Sequence, residues 1–170
     1  FTRALELARF LSSRKLARVK TVAYVPRSIK GHSVLVAMAC EEIVVAADVE
    51  FGEAGIDEPD DESIEPFVLS GYKQIADRRR TIPTEVALGL LDKRLEVVKV
   101  EPDRSSIEFV LREDLPQLRQ DQTILREEVV IRQGELGRFV GREARELGFV
   151  KYLASDRESV ARALQLPAGA

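Results

Sequence analysis

The stretch TVAYVPRSIKGHSVLVAMACEEIVVA, Thr21 to Ala46, decides the fold class. Its first five residues, Thr21-Val22-Ala23-Tyr24-Val25, form a short β-prone run halted by Pro26, which predicts a strand. Gly31 then opens Val34-Leu35-Val36-Ala37-Met38-Ala39-Cys40, a run apolar on every side, as expected of a helix buried on most faces. Ile43-Val44-Val45-Ala46 follows at once and reads as a buried strand. Strand, buried helix and strand in immediate succession predict an α/β layered fold.

The flanks repeat the alternation. Upstream, Leu5, Ala8 and Leu11 recur at helical spacing within Thr2 to Arg14, and Lys15 to Lys20 is a polar connector. Downstream, Phe51-Gly52 and Gly55 mark turns or edge pairing, and the acidic segment Asp57 to Glu65, with Pro59, reads as a loop. Ile64 to Arg80 and Pro83 to Leu91 read as helices, Pro66 being tolerable in a first turn. Leu95 to Val100 and Ile107 to Val110 read as strands joined in a hairpin, Glu113 to Gln120 as a short helix and Glu127 to Ile131 as a strand. Gly141 to Leu147 is a helix closed by Gly148, Phe149 to Leu153 a strand, and Asp156 caps a last helix to Leu164.

The length of 170 residues fits one domain, and 45% hydrophobic residues suffice for a core. A net charge of −3 offers no global basic field, so no nucleic acid is expected as a partner. Cys40 is the one cysteine, which excludes an intrachain disulfide. No apolar run approaches the ~18–20 residues of a membrane span, since Val34 to Ala47 is broken by Glu41 and Glu42. The chain opens with Phe1 inside a helical pattern and without a Met start, so it reads as a fragment of a longer protein, and any anchor or targeting signal would lie outside it.

His32 is the one histidine, and with one cysteine it makes no zinc cluster. No phosphate-binding glycine motif occurs, and no cofactor or metal is expected. A catalytic triad would have to use His32, yet the nearest serine, Ser33, is its neighbour, and adjacent side chains diverge. A serine–lysine dyad is the remaining route to a nucleophile, because a buried lysine can act as base. Spacing selects none of the seven lysines. The plain readings are structural: His32 and Ser33 as caps of the following helix, Lys73 as a surface residue, Cys40 as core, and Arg78-Arg79-Arg80 as cations at a helix end.

The ordered set Thr21–Pro26, Gly31–Cys40, Glu41-Glu42-Ile43-Val44, Phe51-Gly52-Glu53-Ala54-Gly55 and Gly141-Arg142-Glu143-Ala144-Arg145-Glu146-Leu147-Gly148-Phe149-Val150 resembles the ClpP-class, NfeD-like membrane-associated serine proteases and their signal-peptide-peptidase relatives. The resemblance spans nearly the whole chain, with Asp156 to Leu166 matching the family's final short helix. It implies a ClpP/crotonase-like spiral of β-β-α units over residues 1–170, without the first strands and with a C-terminal helix-strand-helix. It implies a homo-oligomer, other membrane proteins or peptide segments as partners, and a location outside the cytoplasm, with membrane contact only through segments outside this chain.

Counted back from Cys40-Glu41-Glu42-Ile43, the family's nucleophilic serine falls on Gly31, and its lysine falls near Ser63. Neither residue supplies the chemistry, so no catalytic residue is expected. Three functions are then in play. The first is a catalytically degenerate module for assembly or protein binding. The second is an active serine peptidase with Ser33 as nucleophile and Lys73, or His32, as base. The third is a crotonase-like acyl-thioester enzyme.

Overall fold

The computed structural model describes residues 1–59 and 63–166 of the chain. Its centre is β1 (Val22–Val25), α2 (Ser33–Met38) and β2 (Glu42–Val45), preceded by α1 (Thr2–Leu11). β1 and β2 pair in parallel, Val22 opposite Glu42 through Val25 opposite Val45. A parallel pair needs a crossover, and α2 supplies it. All four residues of β2 are buried, as the middle strand of a covered sheet requires. β8 (Tyr152–Leu153) completes this sheet, parallel to β2 on its other side.

α3 (Pro66–Arg79) and α4 (Thr84–Leu91) follow. α3 begins two residues later than the sequence suggests, with Pro66 at its first position, and it ends where Arg80 turns left-handed at φ 57°. Helices α1, α2, α3 and α4 bury Leu5, Ala8, Leu35, Met38, Val68, Tyr72, Ile75, Val86 and Leu90 in one core with Ile43 and Val45. Arg79 stitches three of them together. Its guanidinium donates to the Leu11 carbonyl at 2.5 Å and the Ala39 carbonyl at 2.8 Å, satisfying acceptors that the ends of α1 and α2 leave open. The sequence reading of an arginine at a helix end holds, but the carbonyls it serves belong to other helices.

A second sheet is formed by β3 (Glu50–Gly52) and β7 (Arg138–Val140), antiparallel, with Phe51 opposite Phe139. β7 escaped the sequence reading because three residues, of which Phe139 alone is buried, make no alternating pattern. The loop after β3 lies hard against α4: a Cβ on Gly55 would sit 1.9 Å from the Leu91 carbonyl oxygen.

The third sheet has the order β5-β4-β6, with β4 (Val97–Pro102), β5 (Glu108–Leu111) and β6 (Ile124–Ile131) antiparallel. The expected hairpin is β4–β5. α5 (Leu115–Asp121) packs Leu115 and Leu118 on Val98, Val100, Val110 and Ile124, a small core of its own. α6 (Gly141–Glu146) and α7 (Arg157–Ala163) flank β8, and the Asp156 carboxylate caps α7 by accepting from the Ser159 amide at 2.7 Å. Phe149 and Val150, read from sequence as strand, instead turn back: both amides donate to the Ala144 carbonyl around Gly148 at φ 85°, closing α6. β8 is left with two residues.

The chain is therefore a mixed α/β fold. Among the described residues, no helix is long and apolar enough to cross a membrane.

Candidate functional site

The corner between β1 and α2 carries the residues singled out from sequence. Ile29 bridges Phe51, and the Gly31 amide donates to the Glu53 carbonyl at 3.0 Å, which fixes the chain entering the helix against the loop after β3. Gly31 turns this corner at φ 61°, a conformation that glycine adopts without strain. It is buried, and a Cβ there would lie 2.7 Å from Asp57 Oδ2. Glu53 is itself left-handed at φ 47°. The Lys30 ammonium forms an ion pair with Glu53 Oε2 at 2.5 Å.

His32 occupies the N-cap position of α2 but caps nothing. Its ring is turned inward, with Nδ1 3.1 Å from the Tyr72 hydroxyl and Nε2 2.9 Å from Glu58 Oε1. A carboxylate only accepts, so Nε2 carries the proton and donates to Glu58. In the neutral ring Nδ1 then accepts from Tyr72. Tyr72 is fully buried on α3 and its phenol is pushed up by burial, so it stays protonated and able to donate. Burial lowers the pKa of His32, and Glu58 opposes that only in part. The Phe1 ring closes the pocket, edge-on to His32 at 5.0 Å and stacked near-parallel to Tyr72 at 6.3 Å.

Ser33, the first residue of α2, does not cap it either. Its hydroxyl is exposed and donates to the Lys30 carbonyl at 2.6 Å, instead of accepting from a helix amide. Lys73 directly follows Tyr72 on α3 and is exposed, as a surface residue would be. Ser63, where the resemblance would want lysine, is exposed ahead of α3. Of the expected acidic loop, Asp60, Asp61 and Glu62 lie outside the described residues. The structure thus brings His32 to Tyr72 and Glu58, and both of its ring nitrogens are engaged away from Ser33.

Tyr72 and Glu58 were not among the residues singled out from sequence. The available signal was Tyr72 on the core face of α3 with Val68 and Ile75, since a buried phenol needs a hydrogen-bond partner. Glu58 lay hidden in an acidic run that reads as solvated loop.

Cys40 is buried, its thiol donating weakly to the Val36 carbonyl at 3.8 Å and raised in pKa by burial, as expected of a core residue. Among the described residues no group of three or more His, Cys, Asp or Glu side chains is arranged to hold a metal ion. A second polar cluster lies at the other end of the central sheet. Glu42, buried at the start of β2, receives Lys20 and Lys151 at 2.9 Å each on Oε1, while Oε2 is buried without a partner. Burial alone would raise the Glu42 carboxyl, but the hydrogen bonds from Lys151 and Lys20 outweigh it and hold the pKa below the ordinary value. This cluster ties together the chain entering β1, β2 and β8.

No family model, curated protein or solved structure matches this chain.

Proposed function

We propose that this chain is a ClpP-class, NfeD-like serine-protease module, a β-β-α spiral domain without a working hydrolytic centre, that serves in assembly or protein binding within a membrane-associated protein, outside the cytoplasm. The observation that carries the reading is Gly31. At the corner that leads from the first parallel strand into the buried helix, where the resemblance puts a nucleophile, there is a glycine at φ 61° closed over by Asp57. The parallel β1–α2–β2 unit, a strand–helix–strand crossover, supports the reading at the level of an α/β layered fold. The side chains around the corner support the loss of chemistry. His32 is held by Tyr72 and Glu58, Ser33 donates to the Lys30 carbonyl, and Lys73 is on the surface. A general base has to reach the proton it removes, and His32 reaches no serine here.

Reaction with a fluorophosphonate probe, read by intact mass beside an active serine hydrolase, tests the reading. An unlabelled chain is expected. Stoichiometric labelling at Ser33, lost in Ser33→Ala, would replace it with an active peptidase using Ser33.

A further inference from the structure

β6 is an edge strand. It pairs with β4 on one side, and among the described residues no strand pairs with the other. Five of its eight residues are exposed, with Leu125 70% and Val129 40% accessible. An open antiparallel edge presents unpaired amides and carbonyls to a further strand. Natural edges are usually blunted by charge, and β6 carries Arg126, Glu127 and Glu128. Their order, however, makes the edge complementary to itself.

The geometry points to a two-fold dimer in which β6 of one copy pairs antiparallel with β6 of another about Glu127. In an antiparallel pair related by a two-fold axis, the axis passes between one residue and its own copy, which face each other. Centring on Arg126 opposes two arginines, and centring on Glu128 opposes two glutamates with Arg126 left against Val130. Centring on Glu127 sets Arg126 of each copy against Glu128 of the other.

The existing pairs extend that match. Within the chain, Lys99 stands opposite Glu128 at 3.6 Å, and Glu101 opposite Arg126 at 4.0 Å. The joined sheet therefore carries, twice, the row Lys99–Glu128–Arg126–Glu101 across four strands, each charge beside its opposite. Such directly opposed pairs stabilise a sheet. On the other face the two Glu127 carboxylates meet near the axis. Each is already held in a bidentate pair by Arg119 of α5 at 2.8–3.0 Å, which neutralises their repulsion. The bulges of the β4–β6 ladder fall outside Arg126–Val129 and leave the self-pairing stretch in regular register. Leu125, at one bulge, and Val129, at the end of the regular stretch, are exposed apolar side chains flanking the charged pairs.

This names the partner in the assembly reading as a second copy of the chain, and it rests on that reading. Sedimentation velocity of the chain over a concentration series tests it, with circular dichroism to verify each variant's fold. A monomer–dimer equilibrium is expected. Arg126→Glu and Glu128→Arg should each raise the dimer dissociation constant by about tenfold or more, because each reversal acts at both symmetric rows. An equimolar mixture of the two variants should associate again, since each pair across the interface then regains opposite charges, and so should the double variant. A dimer indifferent to Arg126→Glu, or folded single variants that fail to re-associate on mixing, would overturn the β6 interface and leave self-assembly standing. A chain monomeric throughout the series would overturn both.

Discussion

The Tyr72 hydroxyl donates to Nδ1 of His32, forty positions earlier in the chain, and so fixes the neutral tautomer of the one histidine. The consequence is a chain of three groups, Tyr72–His32–Glu58, with every polar atom of the ring satisfied and no free lone pair to take a proton from an outside nucleophile. The same arrangement ties α3, the entry to α2 and the loop after β3 together.

Tyr72→Phe removes one donor and strands Nδ1 in a half-buried site. It should cost about 1–3 kcal/mol, the penalty for an unsatisfied buried polar group. Urea denaturation followed by circular dichroism measures this, and a change under about 0.5 kcal/mol would show the bond to be incidental.

His32 also sets a pH dependence. Its folded pKa lies below the ordinary 6.5 because burial, and after it the positive charge of the amino group of Phe1, disfavour the charged ring, against the raising effect of Glu58 and Asp57. The unfolded state therefore binds the proton first as pH falls. The stability concerned is intact above about pH 6.5 and is lost as pH drops from there towards the lowered folded value. Thermal melts of the chain and of His32→Phe should diverge in slope over that interval. Parallel profiles would remove His32 as the cause.

Glu42 acts lower on the pH scale. Its folded pKa is held below the ordinary 4.5 by Lys151 and Lys20, so its contribution is present above about 4.5 and disappears as pH falls through the lowered value. Glu42→Gln should cost about 1–2 kcal/mol at neutral pH, modest because both lysines are half in water. It should also flatten the acid limb of the stability profile, as read from urea midpoints at a series of pH values.

Gly31→Ser would put a hydroxyl where the resemblance expects one. The left-handed backbone should cost about 1–2 kcal/mol, and the exposed Asp57 carboxylate has room to give way. The variant should fold and still fail to take up the fluorophosphonate, because His32 remains bound to Tyr72 and Glu58. Labelling at the introduced hydroxyl would show that the corner had lost its nucleophile and nothing else.

Arg79→Lys keeps the charge but not the fork that reaches two carbonyls. A loss of about 2 kcal/mol is expected in chemical denaturation, since a lysine serves one of the two helix ends at most. An unchanged midpoint would mean that solvent satisfies those carbonyls equally well.

Long or strongly patterned elements were legible in the sequence. The apolar run of α2, the β-prone run of β1 and the alternation around β4 and β5 each state their structure locally, and Asp156 and Gly148 mark helix ends by their own chemistry. The short pieces were not. β7 exists because β3 offers it an edge, and β8 is cut to two residues because Phe149 and Val150 close α6.

The α/β class and the central β1–α2–β2 unit can be read along the chain, because residue type and period act over a few neighbouring positions. What His32, Glu42 and Arg79 do emerges only in three dimensions. Their partners, Tyr72 and Glu58, Lys20 and Lys151, and the carbonyls of Leu11 and Ala39, are distant in sequence. Hydrogen bonds and ion pairs depend on distance in space, which spacing along the chain does not encode.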